Sequence, residues 1–332
     1  LKGKWVLKSK RRSNTFGYTS KKKTFISSKN RKNSQPVFPS ISKWPRTIVP
    51  KQITISKKLS SIFTDPKARA TSWDMTKEVI YGRYRIRSNL KAKYIRIYAR
   101  FLNKLFLSYS AVFRFPYWRY PSYKCKVWIF ATKKEFQDYL YSDEGPGLTG
   151  AAGFYQGVVQ RIVTYHGLFG EKGNTFTILA HEGAHQFQDL SLKWSAYINV
   201  PIWLSEGMAC LFESMYFDGK KLVLGKVNQE RLENMKRRFK NNKYISLERL
   251  FRTPQAYFDA TCYDHAWAFL YWLIYSNKGR NKRIFDAMWL YCRKKKLTPG
   301  ATKRFLGTDL KKIEEKWKKW ILNLDPNFQF KR

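Results

Sequence analysis

The feature that most constrains this chain is a pair of histidines four residues apart in the apolar stretch TFTILAHEGAHQFQDLS (175–191). Its apolar residues fit a helix, and Asn174 stands where an N-cap belongs. On a helix His181 and His185 share a face, so their rings can reach one point. Glu182 is rotated from that point by about 100°, beside it rather than on it. At this spacing two neutral imidazoles can hold a zinc ion, Zn2+. The glutamate then takes a proton from a water whose pKa the metal has lowered. The competing reading is a helix with two incidental histidines.

A third ligand restricts the fold further. A metzincin site needs Gly and His where this chain has Gln188 and Ser191, which excludes that class. The next candidate is Glu206, 21 residues after His185, within Trp203-Leu204-Ser205-Glu206-Gly207-Met208-Ala209. A short antiparallel helix pair would bring it to the same point. An acid among Trp, Leu, Met and Ala needs a cationic partner, and zinc supplies one.

HEGAH followed by P-x-W-L-S-E-G-M-A resembles the gluzincin zinc peptidases of the peptidase-MA type, and within them the bacterial group known as DUF1570. The resemblance is strongest over about 175–275, weaker back to about 80, and does not extend to the N-terminal basic segment. It implies a zincin-like fold, His181, His185 and Glu206 as zinc ligands, and Glu182 as general base toward a peptide or protein substrate. It also implies a downstream donor for the oxyanion. Tyr263 in CYDHAWAFLYWL is the first choice for that donor and His265 the alternative. Thermolysin-like members place an Asp four residues after the third ligand. Cys210 stands there instead, leaving Glu213, Asp259 or Asp264 to orient a ligand. Substrates of this fold commonly add to an edge strand. RIVTYHG (161–167) is the candidate, with His166 read as a solvated residue.

The rest of the chain reads as α+β, a small mixed sheet with helices followed by a mainly helical C-terminal half, with the active-site cleft between. Strands are expected at 81–88 and 125–131 and in the pieces 154–160 and 161–166. Helices are expected at 91–113, 133–140, 175–191, 201–214, 228–241, 262–276, 281–296 and 309–324. Pro201 opens its helix, and FDGKKLVLG (217–225) reads as a hairpin with a DG turn. Cys125, Cys210, Cys262 and Cys292 form no CxxC pair and read as free, buried thiols.

Lys and Arg number 65 against 23 Asp and Glu, a net charge of +42, and no acid precedes Asp65. Residues 1–72 therefore read as a basic, mostly disordered arm, with Trp5, Phe16, Phe38 and Ile41 as points that can dock. The metallopeptidase-like domain follows over 73–332. Such a charge attracts an anionic polymer or surface. The abundance of Lys, Asn, Ile, Tyr and Phe also fits an AT-rich genome, although that bias does not itself deplete Glu. No apolar run reaches the length of a membrane span, and none follows the charges of LKGKWVLKSKRR as in a signal peptide. The alternative function is a non-catalytic, polyanion-binding protein with a structural or vestigial metal site. An intact Glu182 argues against it.

Overall fold

The computed structural model describes residues 53–55, 57–115, 122–143, 145–147, 150–167, 169–170, 173–192, 199–307 and 309–328. In chain order the first part comprises β1 (Ile53–Ile55), α1 (Lys57–Ser60), β2 (Glu78–Tyr81), β3 (Tyr84–Ser88), α2 (Ala92–Val112), β4 (Cys125–Phe130) and α3 (Lys133–Leu140). Next come β5 (Gly153–Gln156), β6 (Arg161–Tyr165), β7 (Phe169–Gly170), β8 (Gly173–Asn174), α4 (Thr175–Leu192), α5 (Ile202–Leu211), β9 (Met215–Phe217) and β10 (Leu222–Val223). The rest is helical: α6 (Gln229–Lys240), α7 (Leu247–Arg252), α8 (Ala260–Tyr275), α9 (Lys282–Cys292), α10 (Pro299–Leu306) and α11 (Leu310–Leu322). This is the expected α+β arrangement.

The main sheet has the order β2-β3-β4-β6-β5. Its two outer pairs are antiparallel and its inner pairs parallel. A strand covered on both faces carries apolar residues at both parities, and β4 does. Val127 and Ile129 enter the large core with α2 and α4, while Trp128 and Phe130 lie under α3 with Phe136 and Tyr139. A capping box, Thr132 with Glu135, starts α3.

Three readings change. The expected strand 81–88 is a hairpin: Gly82, at φ +59°, turns β2 into β3, and Asn103 takes the Arg83 N–H and gives its amide to the Tyr81 carbonyl. The expected edge strand 161–167 is interior, because β5 folds back antiparallel on β6 and becomes the edge itself. His166 is buried rather than solvated. Its Nε2 donates to the Ile62 carbonyl at 2.9 Å, so its Nδ1 accepts from the Tyr98 hydroxyl at 2.8 Å.

That last contact also moves the domain boundary. The folded part does not wait for Trp73: β1 pairs in parallel with β9, and Leu59, Ile62 and Phe63 are buried, Phe63 against Phe176. The apolar residues of this stretch are too sparse to show a period, but Leu59, Ile62, Phe63 and Ala68 are buried in the body. Residues 1–52 of the arm read over 1–72, with its four docking points, lie outside the described residues.

The helical half forms as expected in the main. Asn174 accepts from the N–H groups of Phe176 and Thr177 and caps α4. Pro201 precedes the first helical residue of α5 rather than being it. Asp218 closes the β9–β10 hairpin by accepting from Lys220 and Lys221, with Gly219 at φ +94°. The short helices α7 and α10, capped by Ser246 and Thr298, were not anticipated. All four cysteines are free and buried. Among the described residues no helix is long and apolar enough to cross a membrane.

Candidate metal centre

Two glycines bring the site's helices together. At Gly183 a Cβ would meet the Tyr109 hydroxyl of α2 at 2.7 Å, and that hydroxyl donates to the Ala180 carbonyl at 2.6 Å. At Gly207 a Cβ would meet the Ala266 carbonyl oxygen of α8 at 2.8 Å. Thus α4 is pressed onto α2, and α5 is threaded between α4 and α8. His181 and His185 project from α4 toward Glu206 on α5, and all three are buried.

The hydrogen bonds fix the histidine tautomers. His181 donates from Nδ1 to Glu213 Oε1 at 2.8 Å. The Ser205 hydroxyl gives its proton to Gln188 at 2.8 Å, so it accepts from His185 Nδ1, 3.3 Å away. Both Nε2 atoms are therefore left with lone pairs. They lie 3.3 Å apart, with Glu206 Oε2 at 3.3 Å from one and 3.4 Å from the other. Glu206 Oε2 is buried with no hydrogen-bond partner.

Three buried acceptors facing one another repel unless a cation sits among them. For metal–ligand bonds of about 2.0–2.1 Å, tetrahedral geometry puts neighbouring donors about 3.3–3.4 Å apart. The spacing here fits that geometry. Without a metal, a proton answers the same need. Burial works against charge on His181, yet Cys210, Glu206 and Glu213 outweigh it and raise its pKa well above the usual histidine value.

Glu182 stands beside this triangle, as the helical offset predicts. Its Oε2 accepts the Tyr155 N–H of edge strand β5 at 2.8 Å. Burial raises its pKa, although His181 and His185 pull it back. The Tyr155 hydroxyl donates to Asp189 at 2.7 Å. Asp189, one turn beyond His185, is pushed up to about 6, chiefly by burial.

The two candidate oxyanion donors separate. The ring of Tyr263 lies 6.4 Å from that of His181. Burial, then the charges of Glu206, Cys210 and Glu182, keep its hydroxyl protonated. His265 is turned away. Its Nδ1 donates to the Thr261 carbonyl at 2.7 Å and its Nε2 accepts the Ile245 N–H at 3.1 Å, so neither nitrogen is free. Among the three residues expected to orient a ligand, Glu213 is the one that bonds a site histidine, His181. Asp259 caps α8, and Asp264 pairs with Arg231. Sequence reasoning missed Tyr155, Ser205 and Arg231. Ser205, adjacent to Glu206, was the one with a local signal.

Fold and site together define an α+β chain with a buried His/His/Glu centre, carried on two adjacent helices, that can hold a metal ion. Residues 175–296 match the model of a family described as a protein of unknown function, DUF1570. The match opens on the first residue of α4 and contains His181, His185, Glu206 and Tyr263. No curated protein matches the chain.

Proposed function

We propose that the protein is a zinc-dependent peptidase of the gluzincin type, with a zincin-like fold. The observation that carries this reading is the triangle of His181 Nε2, His185 Nε2 and Glu206 Oε2 at tetrahedral spacing with a buried carboxylate, Glu182, beside it. Two imidazoles and one carboxylate suit zinc, and at a site of this kind zinc supplies a Lewis acid that activates water and polarises a carbonyl.

The protein's own groups do the rest. The outer edge of β5, beside Glu182, offers backbone partners for an extended substrate. Glu182 takes the proton of the attacking water and passes it to the leaving amine. Its raised pKa suits both halves of that task. The Tyr263 hydroxyl donates to the developing oxyanion. Ser205 and Glu213 hold the two rings in the tautomer the ligands need.

Metal analysis of purified protein tests the centre. We expect about one zinc per chain, lost in Glu206→Ala. Glu182→Gln should keep zinc yet abolish hydrolysis of peptides, because an amide cannot accept the proton. Full activity in Glu182→Gln would sink the mechanism. A wild-type protein that binds zinc and cleaves no peptide would favour a non-catalytic centre.

A further inference from the structure

Behind His181 lies a charge cluster of which the proposed chemistry uses only Glu213. Arg231 is buried on α6. Its Nε and Nη2 donate to Glu213 Oε2 at 3.1 and 2.9 Å, and its Nη1 donates to Asp264 at 2.9 Å. Asn234 and Arg238 also grip Asp264, at 3.2 and 3.3 Å. These three residues share one face of α6. Asn228 accepts the Arg231 N–H at 3.1 Å and pins the backbone there.

Burying such a cluster is not the cheapest way to stabilise a core. Apolar side chains of the same volume commonly do as well or better. The location of the two carboxylates suggests another use. Glu213 follows α5, which carries Glu206, and Glu213 orients His181. Asp264 lies on α8 next to Tyr263. A planar guanidinium can face both at once, whereas a lysine ammonium is a single point charge.

We propose that Arg231 is a positioning residue for the metal centre: by clamping Glu213 and Asp264 it holds the His181 ring against the metal position and the α8 turn that carries Tyr263. The inference rests on the metal-site reading but not on peptidase activity. It joins α6, α8 and the segment after α5 through one side chain, so a small shift of α6 reaches a ligand and the oxyanion donor together.

The test is a double-mutant cycle read by metal affinity. Zinc affinity is measured against a competing chelator, and the visible spectrum of the cobalt-loaded protein reports ligand geometry. Arg231→Lys and Glu213→Gln should each weaken zinc by roughly 10–100-fold, the usual range for an outer partner of a ligand. If Arg231 acts through Glu213, the double variant should be no weaker than Glu213→Gln alone. Additive losses would overturn the proposal. So would an Arg231→Lys protein that melts earlier but keeps wild-type zinc affinity and cobalt spectrum.

Should Arg231→Lys fail to fold, Asp264→Asn tests the other arm, because it leaves Arg231 paired with Glu213. It should alter the cobalt spectrum, and an unchanged spectrum would overturn the clamp. Where hydrolysis is measurable, its effect on kcat should shrink in a Tyr263→Phe background, and an undiminished effect there would also count against it. Absence of hydrolysis in zinc-loaded wild type counts against the peptidase reading alone, since the affinity cycle and the cobalt spectrum need no turnover.

Discussion

A tyrosine can serve a developing oxyanion only while it keeps its proton, and Tyr263 sits among groups that prevent its loss. Tyr263→Phe removes only the hydroxyl. Steady-state kinetics should show kcat lower by roughly two to three orders of magnitude with KM little changed. An unaffected kcat would remove the role altogether, because His265 spends both ring nitrogens on backbone. His265 instead governs stability. Burial holds its pKa at about 4, below the usual value near 6.5. Above pH 6.5 the ring is neutral folded or unfolded and contributes no pH dependence. As pH falls toward 4, the unfolded chain takes a proton that the folded chain refuses, so stability drops, by about 3 kcal/mol at most. Asp189, whose pKa is raised, acts in the opposite sense, so a variant must isolate the histidine. Denaturant titrations from pH 7 to 4.5 should show a shallower loss in His265→Gln than in wild type, and parallel curves would refute the assignment.

At the scale of helices, close approach matters more than any one contact. Gly207 lets α5 lie against α8, where a methyl group would meet a backbone carbonyl that cannot step aside. Gly207→Ala should therefore displace α5 and the neighbouring Glu206 with it. We expect about 1–3 kcal/mol of lost stability and weaker zinc binding, checked by thermal melts and chelator competition; wild-type values in both would show that the helices can part freely. The His181, His185 and Glu206 triangle was legible in the sequence because its signals are local. His181 and His185 obey the helical period, and Glu206 is an acid where nothing else explains one. The strand order was not legible, since β5 and β6 look alike as extended pieces and only the back-folded turn decides which is outermost. Arg231 was hidden for a different reason. It is one of 65 basic residues, and its role exists only in pairings with Glu213 and Asp264, 18 and 33 positions away.

For the whole chain, the net charge of +42 predicts binding to anionic polymers that weakens steeply with salt. The segment without acids ends at Asp65, but the folded body begins by Ile53, so a truncation must respect both limits. Removing residues 1–52 should lower the salt needed for elution from heparin and leave the melting temperature in place. Removing 1–72 should lower the melting temperature as well, because Leu59, Ile62 and Phe63 leave the core and His166 loses the Ile62 carbonyl. If full-length protein and the shorter truncation elute together, the charge before Ile53 does not drive binding. The stretch that matches the DUF1570 family model, 175–296, is narrower than this body. A gene fragment trimmed to 175–296 would encode His181, Glu182, His185, Glu206 and Tyr263. It would also strip Phe176 of Phe101 and Phe187 of Phe106 and Phe113, and deny Glu182 the strand that holds it. The matched stretch is thus smaller than the body it packs into, and anyone grafting this centre into another protein would have to carry α2 and the main sheet along with it.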